Sequence, residues 1–439
     1  VTSWRDHVIW WHLYPLGFTG APVRPAEPVG EITHRLGRIE AWLDHVVELG
    51  LNGIALGPIF ASRTHGYDTE DHFRIDPRLG DDADFDRLVA AARRRGIRLQ
   101  LDGVFNHLGR THPAFRALEE QGPAAPTAGM FRVDWSGWRP GDPVEADVFE
   151  GHDALVALDH SSPAVADLVT DVMLHWLDRG VDSWRLDAAY AVPPSFWAGV
   201  LPRVRARHPE AWISGEVIRG DFADVVQAST MDSVTQYELW QGLWHGIADR
   251  NLFELAHAVK RHNDLLATFV PATFAGNHDV TRLASAIGAD FVPHAMAVLF
   301  TVAGVPSVYA GDEYAWTGVK EHRHGGDDAV RPEFPPAPPA PGDLFHTHQT
   351  LIGVRRRHPW LVRAHTDVVH LENRRIVLRT ATGTGAILTA LNLDDTPAGL
   401  PAADARTVLA GSATLNGPDL RLPARGWAVL SSGDQPPRA

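Results

Sequence analysis

Three carboxylates close strand-like runs in this 439-residue chain: Asp187 ends Gly180-Val-Asp-Ser-Trp-Arg-Leu, Glu216 ends Ala211-Trp-Ile-Ser-Gly, and Asp279 follows Phe274-Ala-Gly-Asn-His. Side chains alternate along a strand, so Ser183, Arg185 and Asp187 share one face and Trp184 and Leu186 the other. Each charged residue has a structural account of its own: Arg185 and Asp187 as an ion pair, Glu216 as a helix cap, Asp279 beside Arg282, His107 as an interior histidine. Three carboxylates gathered at one mouth are different, because like charges that close raise one another's pKa and cost stability without a use. The chemistry that uses them is glycoside hydrolysis with retention, which needs one ionised carboxylate and one carboxylic acid about 5–5.5 Å apart. Arg185 would keep Asp187 ionised as the nucleophile. Glu216 would be the proton donor, its pKa raised by neighbouring negative charge. A third carboxylate can hold ring hydroxyls, and Tyr67, Trp135, Trp138 and Trp316 offer apolar faces to sugar rings.

The elements that must position these residues alternate between apolar strand runs and helix-period segments, the pattern of repeated βα units around a parallel sheet. Strands are predicted at Val8–Tyr14, Gly53–Leu56, Ile97–Asp102, Gly180–Asp187, Ala211–Glu216, Met231–Thr235, Phe269–Phe274 and Val305–Tyr309. Eight repeats close a (β/α)8 TIM barrel, an α/β fold whose chemistry sits at the C-terminal strand ends. The first helix is predicted over Thr33–Leu49, with Thr33 as N-cap and Gly50 as its stop. Residues 108–160 break the alternation without clear elements, and a stretch of that length is functional more often than slack. They read as a small inserted subdomain after strand 3. The barrel then covers 1–107 and 161–360, and 361–439 reads as a C-terminal all-β domain, a β-sandwich.

Six stretches resemble motifs of the α-amylase family of glycoside hydrolases, family thirteen, and the likeness spans nearly the whole chain. Asp102-Gly-Val-Phe-Asn106-His107, Trp184-Arg185-Leu-Asp187-Ala-Ala, Gly215-Glu216-Val and Phe274-Ala-Gly-Asn277-His278-Asp279 are similar to its four central motifs. His65-Gly-Tyr67-Asp68 and Gly304-Val-Pro306 through Gly311-Asp312-Glu313 resemble flanking ones. The resemblance implies Asp187 as nucleophile, Glu216 as acid/base and Asp279 as transition-state stabiliser. It implies that Tyr67, His107, Arg185 and His278 line the sugar subsite at which cleavage begins. Asp68 and Trp316 join the candidate substrate-binding residues.

Three departures bear on substrate. Tyr190-Ala191 stands where many endo-amylases have Lys-His, Thr64 where the α-glucosidase branch has an acidic residue, and Ile218 where the cyclomaltodextrinase and neopullulanase branch often has Trp. Gly109-Arg110-Thr-His112-Pro113-Ala-Phe115 resembles that last branch, whose extra N-terminal domain has no counterpart in these residues. The expected activity is retaining hydrolysis of α-1,4 bonds in malto-oligosaccharides. Open alternatives are an α-glucan transglycosylase, a hydrolase of maltose, trehalose or sucrose, and a non-catalytic binding barrel.

A net charge of −14 with no Lys/Arg-rich run excludes a nucleic-acid partner. The absence of Cys excludes disulfides and thiolate chemistry. No run of about 18 apolar residues reads as a membrane span, and the expected location is the cytoplasm. No cofactor and no zinc spacing is expected. Calcium is the one metal with a motif match, through Asn106, with Asp134, Asp142 and Asp147 as further oxygens. The Trp316–Arg331 loop brings Lys320, Glu321, His322, Arg323, Asp327 and Asp328 near the mouth, to close one end of the cleft or merely to solvate a loop. Oligomeric state is left open.

Overall fold

The computed structural model describes residues 3–27, 29–383 and 385–433; positions 1–2 of the barrel and 434–439 of the tail, as delimited above, lie outside the described residues. Eight strands carry the architecture: β1 Trp10–Leu13, β2 Gly53–Leu56, β3 Arg98–Gly103, β4 Ser183–Leu186, β5 Trp212–Gly215, β6 Ser233–Val234, β7 Ala272–Phe274 and β8 Val305–Tyr309. Each pairs in parallel with the next from β1 to β6, and β8 joins β7 to β1. The last seam, β6 against β7, is held by one parallel bridge, Thr235 with Ala272. The sheet is therefore closed, and near-continuous apolar runs such as Gly53–Leu56 are buried along their whole length, as a sheet covered on both faces requires.

Below the mouth the lumen is plugged by the stacked rings of Trp10 and Trp212, 6.0 Å apart. Between plug and mouth lies a cavity of about 60 Å³ lined by His12, Gln100, Ser214 and Thr273 among others. That is room for a few waters at most. Anything larger is confined to the mouth.

Two local expectations are corrected. The first helix is two, Leu36–Glu40 and Leu43–Leu49, because Trp42 interrupts the ladder and buries its ring against Trp11, 5.8 Å away. Thr33 caps nothing: its N–H donates to Pro77 O, holding the segment extended. Gly50 does end the second helix, at φ +93°, a conformation that favours glycine. The 108–160 stretch is not free of elements. Strands His107–Gly109 and Leu155–Ala157 pair antiparallel at its base, and a helix runs over Pro113–Gln121. Its start has a legible signal, since His112 accepts from Ala114 N and Pro113 sits at the first helical position.

A second helix absent from the prediction, Tyr237–Ala248, follows β6 directly, capped by the Gln236 side chain, which accepts from Glu238 N and Leu239 N. It precedes the expected helix, observed at Leu252–Leu265.

The tail is two antiparallel sheets. His365–Glu372, Arg375–Thr382, Gly385–Asn392, Trp427–Ser431 and Thr407–Gly411 form one, and Ala398–Pro401, Asp419–Leu422 and Thr414–Asn416 the other. Along Arg375–Thr382, Val377 joins the core between the sheets while Ile376 and Leu378 join the barrel's core. Thr301 and Thr389 hydrogen-bond across that contact at 2.7 Å.

Candidate active site at the barrel mouth

Strand register aligns the charged groups. Arg185 on β4 lies opposite Asp102 on β3 and Ser214 on β5. Its Nη1 donates to both Asp102 oxygens at 2.6 Å, its Nη2 lies 2.6 Å from Glu216 Oε1, and Asp187 Oδ1 is farther, at 3.4 Å. One guanidinium thus serves three carboxylates, and the sequence reading, which paired it with Asp187, missed Asp102. The signal was present: Gln100 and Asp102 share the polar face of β3.

The chain turns sharply after the strand. Asp187 N donates to Gly103 O, and Ala188 stands in the left-handed region at φ +43°. A residue with a Cβ held there costs about 1–3 kcal/mol. The turn aims Ala188 N–H at Glu216 Oε2, 3.0 Å away, while Tyr237 O–H donates to Glu216 Oε1 at 3.3 Å. Asp187 and Glu216 are thereby gathered about one guanidinium.

Electrostatics on this wall run upward. Burial, and then the Glu216 charge, push Asp187 well above the ordinary carboxylate range, and Arg185 only opposes them. Burial likewise lifts Asp102 to about 6. The expectation that Arg185 alone holds Asp187 ionised is corrected, because the cation is shared. The cluster can retain a proton.

Asp279 sits on a different wall. Its Oδ1 accepts from Arg331 Nη2 at 2.6 Å, its Oδ2 lies 3.0 Å from His278 Nε2, and Lys320 Nζ donates to its backbone oxygen at 2.8 Å. Burial would raise it, but His278, Arg331, Arg185 and Lys320 outweigh burial and hold Asp279 far below the usual carboxylate range. Burial also drives His278 well below the imidazole range, so a neutral ring faces Asp279 and donates through Nε2. Tyr67 joins the walls: its hydroxyl contacts His278 Nε2 and donates to Asp102 Oδ2 at 3.2 Å. Arg331 entered the sequence reading only as the end of the Trp316–Arg331 loop.

The other candidates divide. His107 is buried, bonded through Nε2 to Tyr67 O and stacked on Phe149 at 4.8 Å, with burial lowering it to about 4. Asp68 turns into its own loop, where it accepts from Thr64 N and Thr64 Oγ1. Trp316 packs on Phe334 at 4.4 Å, and Trp135 on Trp138 at 5.3 Å. Tyr190 O–H donates to Glu150 in the excursion, and Ile218 is exposed.

Asn106 is buried beside His107, with 3.2 Å between its Nδ2 and the ring Nδ1. Asp134 accepts from Ser136 N, Asp142 from Arg139 N, and Asp147 from Arg132. Among the described residues, only His34, Asp81 and Asp84 bring three His, Asp or Glu ligand atoms within 4.8 Å of one another. Asp134, Asp142 and Asp147 form no such group. Asp81 and Asp84 cap a helix.

Comparison with known proteins adds context. The family model "Alpha amylase, catalytic domain" matches residues 35–333. A cyclomaltodextrinase from Bacillus sp is 31% identical over 333 residues, 72% of this chain and 57% of that protein. Neopullulanase 2 from Thermoactinomyces vulgaris is 30% identical over 342 residues, 76% of this chain and 57% of that one. The chain thus spans little more than half the length of these curated relatives. Among solved structures, a cyclic α-maltosyl-(1→6)-maltose hydrolase from Arthrobacter globiformis superposes with TM-score 0.83 at 26% identity, covering 98% of this chain and 100% of that one. A debranching enzyme from Nostoc punctiforme gives 0.81 at 26% identity, covering 97% and 98%.

Proposed function

From the premise that this chain belongs to the α-amylase family of glycoside hydrolases, we propose that it is a retaining hydrolase cleaving α-1,4-glucosidic bonds of malto-oligosaccharides. The observation that carries the reading is the contact of one guanidinium, Arg185, with Asp187, Glu216 and Asp102 together. Two buried carboxyls that share one guanidinium and repel one another cannot both ionise cheaply, so the pair holds one proton. With that proton on Glu216, the main charge raising Asp187 disappears and Arg185 favours its ionised form. Glu216 then gives the proton to the departing glycosidic oxygen as Asp187 attacks the anomeric carbon. Water, deprotonated by Glu216, releases the glycosyl ester in the second displacement. Asp279, ionised throughout, holds ring hydroxyls and faces the developing positive charge.

An oligosaccharide partner follows from this reading, and no metal takes part in it. The described helices include none long and apolar enough to cross a membrane. A relative named intracellular maltogenic amylase, from Bacillus subtilis, supports a cytoplasmic location. The test is the configuration of the first product. Proton NMR of maltotriose to maltoheptaose digests should show the α-anomer before mutarotation, and early β-anomer would overturn the assignment of Asp187.

A further inference from the structure

The helix Tyr237–Ala248 carries more than the tyrosine that touches Glu216. Tyr237, Trp240 and Trp244 stand three and then four residues apart, so one helix face carries all three rings. Tyr237 and Trp240 lie 5.6 Å apart, Trp240 and Trp244 5.8 Å. Both tryptophans are only half-buried. Against them opens a recess of about 420 Å³ whose other wall is Asp279, Thr281, Lys320 and His322. That size falls in the range of small-ligand pockets, about 300–1,000 Å³.

The walls have the chemistry of a sugar site. Indole faces suit the apolar C–H face of a pyranose, and the hydroxyls around its edge need polar partners. Lys320 supplies an ammonium only partly engaged, 3.3 Å from Asp327 Oδ1 and donating to Asp279 O. The Trp244 indole N–H is buried and meets no acceptor in the structure. Asp279 belongs to both recess and catalytic mouth, so the two are continuous.

We infer that this recess holds the hexopyranose unit on the leaving-group side of the scissile bond. Direction comes from Tyr237, which bonds the carboxyl proposed to protonate the departing oxygen and begins the aromatic face. The inference rests on the glycosidase reading above. It makes Trp240 and Trp244 determinants of which glycans are cleaved.

The experiment compares maltotetraose with α-maltosyl fluoride. With the fluoride, the C1–F bond breaks, fluoride leaves, and the bond from Asp187 to C1 forms with no sugar on the leaving-group side. In Trp240→Ala and Trp244→Ala, kcat/KM for maltotetraose should fall about tenfold or more relative to that for the fluoride. Equal losses on the two substrates would overturn the inference, because a merely structural role affects both. Should the alanine variants not fold, Trp240→Phe and Trp244→Phe keep a smaller apolar face and should show the same preference in reduced degree. If the unaltered protein turns over neither substrate, the glycosidase reading fails first. Quenching of tryptophan fluorescence by maltose then tests the recess alone: it should weaken in Trp240→Phe, and quenching that is absent or unchanged in the variant overturns the recess as a sugar site.

Discussion

Two walls meet at the mouth, and both present aspartates to arginines, buried ones on the first and a partly exposed one on the second. On the β4 and β5 wall, three carboxylates divide one guanidinium, and Asp187 is pushed up by burial and by Glu216. On the β7 wall, Asp279 and Asp327 divide Arg331 and Lys320, a neutral histidine donates to Asp279, and Asp279 is pulled down. The residue type is the same, and the ratio of cations to carboxylates sets the outcome. A shortage of cations makes a wall that can carry a proton to a substrate. A cation for each carboxylate makes one that stays charged.

The largest effect should come from breaking the proton-carrying wall. Asp187→Asn and Glu216→Gln should each lower kcat for maltotetraose by at least about 10³-fold while the fold persists by circular dichroism. In Glu216→Gln the loss should be much smaller for α-maltosyl fluoride, whose leaving group needs no proton. Wild-type rates in either variant would show that the wall does no chemistry.

Stability should move the opposite way. Asp187 has a folded pKa above its unfolded value, so the unfolded state releases its proton first as pH rises through about 4, and folding weakens from there upward. Asp187→Asn should therefore melt higher than the parent at pH 7, with the difference closing below about pH 4. A difference independent of pH would contradict the raised carboxyl.

Next in size is the charged wall. Arg331→Met leaves Asp279 without its nearest cation in a largely buried place, which should cost about 3 kcal/mol of stability. It should also reduce kcat/KM by about 10²-fold, read by thermal melting and by initial rates. If the enzyme keeps full activity without Arg331, that cation is not what keeps Asp279 charged.

The smallest effect concerns the turn that aligns the first wall. Glycine accepts the φ of Ala188 freely but adds entropy to the unfolded chain, so Ala188→Gly should change stability by less than about 1 kcal/mol. Activity should stay near normal because the N–H to Glu216 is kept. A large loss would mean that the Ala188 side chain itself matters.

Much of this arrangement was legible because a strand's period of two places charges by position alone. Eight apolar runs and their polar ends gave the barrel, and Asp187, Glu216, Asp279, Arg185, His278 and Tyr67 do meet at one mouth. What escaped depends on partners distant in sequence. Arg331 reaches Asp279 across 52 residues of chain, and Asp102 reaches Arg185 across 83. Local spacing carries no trace of Arg331, and for Asp102 it shows only the polar face shared with Gln100. Asp68 and Trp316 were placed by motif and rim position, but the fold turns one into its own loop and packs the other on Phe334. The helix Tyr237–Ala248 had periodic Leu239, Leu243 and Ile247 to announce it, yet it lay directly behind a two-residue strand.

That short strand has a consequence for motion. Between β6 and β7 a single bridge, Thr235 with Ala272, does the work that three or four register pairs do along most of the barrel, helped by Ser233 Oγ donating to Val270 O and Gln236 N to Ala272 O. A joint with so few ladder bonds opens at lower free energy than the rest of the sheet, and backbone amides there should exchange with solvent first. The helix bearing Tyr237 begins at that joint. Each opening would swing the hydroxyl partner of Glu216 and the tryptophan face outward together, and under the proposed reading this widens the mouth on the leaving-group side.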